Sequence, residues 1–346
     1  MLTLSTIKDT SKAFYKKYKL LIWIVASVFI LLMPVIFPKN YIMGVMCRIL
    51  MYTTLAGGLN AINGYSGQTC IGIAGFFCVG AYTEAILATR FELSFWIILP
   101  LAGILTAIVG LLVATPTLRM SGIYLSIVTL GFSEIMRLIA LNWTDVTGGA
   151  MGIKGIPSPV FFGISLKNSK VYYYVFLALA ILFLFTTSRV LKSRVGRAWM
   201  SIREGEIAAR SLGVETSRYK AMNFMYGAFW AGIAGAAYAP YVKFLDSTYF
   251  TLDEGWNVLS MVIIGGQGTL GGPIVGSIIV NFLTEVLRPI GQWRLVAFGI
   301  VIIVMLWFRP QGLVGASNSI LSGHDIVRKI SQASADDQKT ETEAAT

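Results

Sequence analysis

One long charged segment, residues 188–220, separates two sets of apolar runs and constrains the fold more than any other feature of this chain. It reads SRVLKSRVGRAWMSIREGEIAARSLGVETSRYK, with eight Lys or Arg residues against three Glu residues. Side chains with this much charge do not enter hydrocarbon, and an excess of Lys and Arg between spans is typical of cytoplasmic loops. We therefore predict that the charged segment lies in the cytoplasm, between membrane-spanning runs on both sides.

The composition predicts a helical membrane protein. Hydrophobic residues make up 55% of the chain and charged residues 13%, whereas about a quarter of residues are charged in average soluble proteins. Inside a bilayer only helices and closed barrels satisfy all backbone polar groups, and runs of about 20 apolar residues are long enough for helices to cross. We expect an all-α, polytopic membrane helix bundle. The net charge of +11 flanks the apolar runs, which indicates contact with anionic lipid and not with nucleic acid.

The apolar runs divide the chain into five parts. These are a cytoplasmic N-terminal segment (1–19), a first transmembrane half (20–187), the charged segment (188–220), a second transmembrane half (221–316) and a flexible cytoplasmic tail (317–346). Spans are predicted at 20–37, 41–60, 69–88, 93–114, 121–142, 171–187 and 219–240. Six spans connect a cytoplasmic N-terminus to a cytoplasmic charged segment, so the parity is correct. The span 219–240 carries small residues at intervals of four, which favours close helix packing.

The apolar run 255–287 is too long for one ordinary span and is interrupted by GGQGTLGGP. A continuous helix here would cost about 1 kcal/mol for each glycine relative to alanine. We therefore predict two short or half-depth helices, 256–264 and 272–287, followed by a last span, 295–308. This arrangement leaves Arg288 and Arg294 outside, against the usual charge bias. A single span would bring them inside but would send the tail out.

The two halves are interrupted in corresponding places, at residues 60–68 (the first break) and residues 265–272 (the second break). Interrupted helices in matching positions of two halves indicate a transport path, because free backbone ends can meet a polar solute there. Our hypothesis is that the path is lined or gated by polar side chains of the two breaks: Asn60, Asn63, Tyr65, Gln68, Gln267 and Thr269. Glycine-mediated helix packing is the alternative.

Charged residues also occur inside the predicted spans. Glu134 and Arg137 lie three residues apart on one helical face, and we expect an intramembrane ion pair because an isolated charge at this depth is costly. A role facing the substrate is the alternative.

Motifs for enzymatic chemistry and metal binding are not found in this sequence. No Gly-x-x-x-x-Gly-Lys-Ser/Thr phosphate loop is present, so we expect that this chain does not hydrolyse ATP. The single histidine, His324, lies in the tail, and no nucleophile and base can be assembled within the spans. Cys47, Cys70 and Cys78 lie in apolar runs without metal-ligand spacing, so we expect no metal site.

The charged segment permits two interpretations. Residues 196–213 read as helical, with Gly205 as a break. A solvated loop that only sets the topology is one interpretation. A docking surface is the other, favoured by Trp199 and Met200, because such large apolar side chains are unfavourable on a surface that faces only water.

The stretch GRAWMSIREGEIAARSLGV (196–214) resembles the ATPase-coupling loop of the branched-chain amino acid permeases of ATP-binding-cassette importers. The matching positions are Gly196, Arg197, Ala198, Arg203, Glu204, Glu206, Ala208, Ala209 and Gly213. LNAINGYSGQ (59–68), GAY (80–82), VIIGGQGTLGGPIVGS (262–277) and FRPQGL (308–313) are also similar to this family, so the resemblance covers about residues 40–315. Where the family usually has Ser-Leu-Gly-His after the first break, this chain has TCIGI (69–73).

This resemblance implies a permease subunit of an ATP-driven importer, with about ten crossings in pseudo-symmetric halves and both termini on the cytoplasmic side of the cell membrane. It also implies three kinds of partner: a homologous second permease, two ATPase subunits that bind ATP and Mg²⁺, and an extracytoplasmic substrate-binding protein that contacts residues 143–170 and 241–254. No cofactor is expected in this chain. Branched-chain amino acids are the expected solute, and urea or short amides are the alternative within this class.

A secondary transporter or channel that uses an ion gradient is the alternative from another class. It would need titratable or ion-coordinating groups near the middle of the membrane. The candidates within the spans are Arg48, Glu84, Glu134 and Arg137, and the sequence offers no matching charge in the other half. Dependence on a separate ATPase discriminates between the two classes.

Overall fold

The computed structural model describes residues 31–34, 39–118, 120, 122–161, 164–165, 169–309 and 311–315. The predicted N-terminal segment (1–19) and tail (317–346) lie outside these residues, and so does the first span except for residues 31–34, which are helical. The described chain is almost entirely α-helical, and its strands are two residues long. The prediction of an all-α membrane bundle is confirmed.

Besides the helical residues 31–34, twelve α-helices occur in the described residues. They are α1 (Asn40–Asn60), which continues into a π-helical turn (Ala61–Tyr65), α2 (Ile73–Arg90), α3 (Phe95–Thr117), α4 (Ile123–Asn142), α5 (Thr144–Thr147), α6 (Ser169–Lys192), α7 (Arg194–Glu204), α8 (Glu206–Ser211), α9 (Thr216–Val242), α10 (Leu252–Gly265), α11 (Gly272–Val286) and α12 (Arg294–Phe308). Short 3₁₀ helices cover Gly149–Met151, Ser247–Phe250 and Arg288–Trp293. Among the described residues, four helical stretches are long and apolar enough to cross a membrane: Asn40–Tyr65, Phe95–Thr117, Ile123–Asn142 and Ser169–Lys192.

Helix α9 forms the centre of the bundle and packs against α1, α2 and α3. Its small residues allow these helices to approach closely: a Cβ atom at Gly80 of α2 would overlap the Gly232 carbonyl, and one at Gly232 would overlap Thr106 of α3. At about 1.5 Å per residue, the 27 residues of α9 extend for about 40 Å. The helix therefore connects the charged segment to the opposite end of the bundle.

That opposite end, which we call the sheet end, carries the strands. Strand β1 (Ile153–Lys154) pairs antiparallel with β4 (Phe244–Leu245), while β2 (Val160–Phe161) and β3 (Ile164–Ser165) form a separate hairpin. The first pairing joins two loops, 143–170 and 241–254, that are distant in sequence. We call the other end, where the charged segment lies, the charged end.

Helices α10 and α11 confirm the predicted interruption of the long apolar run. Their 14 and 15 residues correspond to about 21–23 Å each, which is shorter than the roughly 30 Å hydrocarbon core. Because the chain reverses between them, Arg288 lies at the sheet end. There its guanidinium donates to Glu285 (3.2 Å) and to the Tyr41 hydroxyl (3.3 Å). The Glu285 carboxylate therefore neutralises Arg288, whose positive charge was the argument against placing this end outside.

Candidate functional site

The two breaks meet at the charged end of the bundle, and we call their contact the junction. The Asn60 amide donates to the Thr269 carbonyl (2.9 Å), and its oxygen accepts from the Gly268 backbone N–H (2.8 Å). Gln267 donates back to the Asn63 carbonyl (2.9 Å). The helix ends on either side leave backbone groups without helical partners, and these amide side chains satisfy several of them.

Within the first break, Asn63 holds the π-helical turn to the chain that follows it. Its amide donates to the Cys70 carbonyl and accepts from the Cys70 N–H, each at 2.9 Å. The nearby Gly72 packs so closely on Thr129 of α4 that an added Cβ atom would overlap the Thr129 carbonyl. This contact requires a glycine at position 72, within the stretch where the family usually has Ser-Leu-Gly-His.

A second polar network joins the first break to the start of α9. Gln68 donates to the Ser66 hydroxyl (2.8 Å), Ser66 donates to the Asn223 side-chain oxygen (2.9 Å), and Asn223 donates to the Ala61 carbonyl (2.9 Å). All three side chains are buried. Ser66 and Asn223 were missed by the sequence analysis; the signal for Asn223 was an amide inside the predicted span 219–240.

The second break is closed by chain from beyond α12. The Leu313 N–H donates to the Ile264 carbonyl and the Val314 N–H to the Gly265 carbonyl, each at 3.0 Å. These are the last carbonyls of α10, so the residues that follow FRPQ cap this helix. The FRPQGL stretch, which the sequence analysis used only as a resemblance, thus has a structural role at the junction.

The charged segment forms two short helices, α7 and α8, separated at Gly205 as predicted. Trp199 was interpreted as favouring a docking surface, and this was wrong: it is 1% exposed, its indole N–H donates to the Tyr219 carbonyl (2.9 Å), and it packs with Ala61 and Tyr65 of the first break. The apolar side chains that face solvent are instead Ile207 (85% exposed) and Leu212 (83%).

The nine residues that match the coupling loop divide by burial. Five are exposed (Arg197, Arg203, Glu204, Ala208 and Gly213), three are buried (Gly196, Ala198 and Ala209), and Glu206 is half-buried. Glu206 forms ion pairs with the buried Lys220 (2.5 Å) and with Arg210 (3.6 Å). Arg203 reaches the junction, where its guanidinium donates to the Gly64 carbonyl (2.6 Å). Arg203 therefore connects the loop directly to the first break, and Glu206 connects to it through Lys220, whose carbonyl accepts from Gln68 (3.4 Å).

A polar stripe on α10 leads from the sheet end to the junction. Asp253, Asn257 and Ser260 recur at intervals of four and three residues, which places them on one helical face, and Gln267 follows the end of the helix in the second break. Asp253 and Gln267 are exposed, and the other two are partly exposed. The Glu254 carboxyl lies beside Tyr52 of α1 and Asn257. This stripe was not predicted from the sequence, because the glycines of the second break dominate the pattern of this run.

Among the residues that the structure describes, two ion pairs join side chains of the apolar helices. Glu134 and Arg137 of α4 form the expected pair, with the Arg137 Nε atom 3.0 Å from both carboxylate oxygens. Arg48 of α1, 44% exposed, lies 3.3 Å from Glu285 of α11. The expectation that the charges of the first half have no match in the second was therefore wrong for Arg48, because its partner lies 237 residues away and only the fold brings the two together.

Residues 41–308 match the protein family described as the permease component of branched-chain amino acid transport systems. The chain is 38% identical over 288 residues to the high-affinity branched-chain amino acid transport system permease protein LivM of Salmonella typhimurium, and 37% identical to the protein of that name from Escherichia coli. Each comparison covers 77% of this chain and 68% of the relative.

More distant similarity extends to a permease for another solute. The chain is 29% identical over 230 residues to the autoinducer 2 import system permease protein LsrC of Salmonella typhi, covering 61% of this chain and 62% of that protein. No solved structure matches this chain.

Proposed function

The chain belongs to the family of permease components of branched-chain amino acid transport systems, and from that premise we propose that it is the membrane-spanning subunit of an ATP-driven importer for these amino acids. The observation that carries the proposal is the exposed apolar surface of α8 within the charged segment. The match over residues 41–308 covers α2 to α12 and all but the first residue of α1, so the proposal concerns the bundle that these helices form.

Helix α8 offers a surface for an ATPase subunit. Ile207 and Leu212 are exposed beside an open depression of about 610 Å³. The depression is lined by Arg210, Gly213, Val214, Glu215, Thr216, Ser217 and Arg218. Large apolar side chains next to arginines are typical of protein interfaces and are unfavourable in water alone. In this proposal two ATPase subunits hold ATP and Mg²⁺ and dock here, one on this chain and one on a homologous second permease.

The orientation follows from the same surface. The charged end faces the cytoplasm, where its basic residues are favoured, and the sheet end faces the outside. Both termini are then cytoplasmic, and the chain lies in the cell membrane. The joined loops 143–170 and 241–254 form the binding site for the substrate-binding protein. Because β1 and β4 pair, a displacement of one loop on binding also displaces the other.

The solute path follows the polar stripe of α10. Partly exposed polar side chains at membrane depth are favoured only where they face protein or a water-filled cavity. The second permease would complete the cavity across from Asn257 and Ser260, and the junction would form its cytoplasmic gate. In this proposal Asn60, Asn63, Tyr65, Gln68 and Thr269 hold the gate closed from within, and Gln267, which is exposed, meets the solute.

Co-purification tests the docking surface. The chain is expressed with its candidate second permease and ATPase subunits, and Ile207→Glu/Leu212→Glu is compared with wild type and with Met151→Glu. Met151 is 76% exposed at the sheet end, so it controls for adding charge at an exposed apolar position. We expect wild type and the control to retain the ATPase and the double variant to release it. Retention by the double variant would refute docking on α8, and loss from wild type would refute the importer.

Uptake by proteoliposomes then tests the solute and the energy source. Vesicles carry ATP inside and receive the binding protein outside, and labelled leucine is compared with labelled urea and acetamide. ATP-dependent uptake of leucine alone is the expected result. Uptake driven by an ion gradient without ATP, or uptake of urea in preference to leucine, would contradict it.

A further inference from the structure

We propose that Arg203 is the residue that couples movement of the charged segment to the junction, an inference that rests on the proposed function. The family resemblance places Arg203 among residues that face the ATPase. The geometry assigns it a different task, because its guanidinium is directed toward the gate within this chain. It is therefore a positioning residue, which acts on the path through the backbone of the first break.

The contacts of Arg203 lie at the C-terminal ends of two helices. Its guanidinium donates to the Gly64 carbonyl (2.6 Å), in the π-helical turn that ends α1. Gly268, which follows the end of α10, lies against the same guanidinium. Helix C-termini carry partial negative charge and unpaired carbonyls, so a cation is stabilised there. The guanidinium thus satisfies one carbonyl in the turn that ends α1 and lies beside the residue that follows the end of α10.

Two glycines, Gly67 and Gly268, make room for this side chain, and a third, Gly64, lets the two breaks approach each other. An added Cβ atom at Gly268 would overlap the Arg203 guanidinium, and one at Gly67 would lie 3.2 Å from the Arg203 Cγ atom. A Cβ atom at Gly64 would overlap Asn60 and the Gly268 backbone. Gly67 and Gly268 also have positive φ angles (69° and 79°), which favour glycine. The space that the arginine occupies is thus bounded by both breaks.

Other residues of α7 also contact the first break and α9, so a movement of α7 is transmitted to both. Trp199 packs on Tyr65 and donates to the Tyr219 carbonyl at the start of α9. Arg203, one turn further along α7, adds the contact to the Gly64 carbonyl and to Gly268 of the second break. Because Asn60 binds the two breaks to each other, a shift of α7 moves both. ATP can favour one state of the gate only through contacts that differ between its states, and Arg203 supplies such a contact.

The test separates ATP hydrolysis from transport in the complete complex. Wild type, Arg203→Ala, Arg203→Lys and the control Arg194→Ala are reconstituted with the ATPase subunits, the second permease and the binding protein. Arg194 is exposed at the other end of α7 and controls for loss of a cation from this helix. Leucine uptake, ATP hydrolysis and the amount of bound ATPase are measured on the same vesicles.

We expect Arg203→Ala to keep the ATPase bound and hydrolysing while the leucine taken up per ATP falls about tenfold or more, the factor associated with one hydrogen bond to a charged group. Arg203→Lys should recover part of the ratio because it retains the cation, and Arg194→Ala should match wild type. Loss of bound ATPase from Arg203→Ala would make Arg203 a docking residue and overturn the inference. An unchanged ratio would also overturn it. If wild type also bound no ATPase, the importer proposal itself would fail. This result differs from the two outcomes above, in which wild type binds the ATPase.

Discussion

The first and second breaks interrupt the two halves in matching places, but they are held together by different chemistry. In the first break, buried side chains bond to the backbone: Asn60 and Asn63 are fully or nearly enclosed and each makes two hydrogen bonds. In the second break, glycines form the turn, and the carbonyls at the end of α10 are capped by Leu313 and Val314. The first break is thus specified by local side chains and the second by distant backbone, so the two should respond differently to substitution.

The largest effect is expected from Asn60→Leu in the first break. The change leaves the Thr269 carbonyl and the Gly268 N–H unpaired in the protein interior, which should cost about 2–4 kcal/mol of the free energy of unfolding. Denaturant unfolding of the purified chain in detergent measures it. Asn281→Leu is the matched control, because Asn281 bonds only within its own helix, to the Ser277 carbonyl (2.8 Å). Equal losses in the two variants would contradict the importance of the junction.

A smaller loss is expected from Gly64→Ala. The added methyl group would overlap the Asn60 side chain and the Gly268 backbone, and overpacking of this kind costs about 1–3 kcal/mol. Gly131→Ala provides the opposite case: no atom lies within 4 Å of a Cβ there, and in a helix interior alanine is favoured over glycine by about 0.5–1 kcal/mol. The midpoints of thermal unfolding should therefore move in opposite directions. A destabilised Gly131→Ala would show that the contrast reflects glycine loss in general.

The features that the sequence predicted are those that depend on neighbouring residues. The apolar run 121–142 anticipated α4 to within two residues, and the glycines anticipated both the turn after α10 and the break at Gly205. The Glu134–Arg137 pair follows from helical spacing alone. In each case the determining interaction lies within one turn of helix or one loop, where composition and periodicity are informative.

The features that the sequence did not predict join residues far apart in the chain. The Arg48–Glu285 pair, the β1–β4 pairing and the contact from Asn223 to the first break are all of this kind. The burial of Trp199 is another: beside Arg and Glu residues it was interpreted as surface, but the first break packs against it. A helix that carries many charges can still bury one face when another element packs against that face. A single sequence does not show which element packs there.

The glutamines of the two breaks provide the subtlest test, because they occupy similar positions with opposite exposure. Gln68 is buried and bonds to Ser66, whereas Gln267 is exposed and makes one bond, to the Asn63 carbonyl. Gln267→Leu should therefore cost only about 1 kcal/mol of stability, and Gln68→Leu more. If the junction is the gate, Gln68→Leu/Gln267→Leu should reduce leucine uptake while the complex still assembles.

Asn142→Leu is the control for this pair, since Asn142 is an amide that bonds only to Leu138 of its own helix. Normal uptake by the double variant would mean that the breaks serve packing alone. If Gln267→Leu instead lost uptake and kept its stability, solute contact would be assigned to the second break. A loss of stability in Gln68→Leu would assign mechanical support to the first break. The proteoliposome assay and the unfolding measurement distinguish these outcomes. Leucine uptake measures whether the path works, and the free energy of unfolding measures the hydrogen bonds that stabilise it.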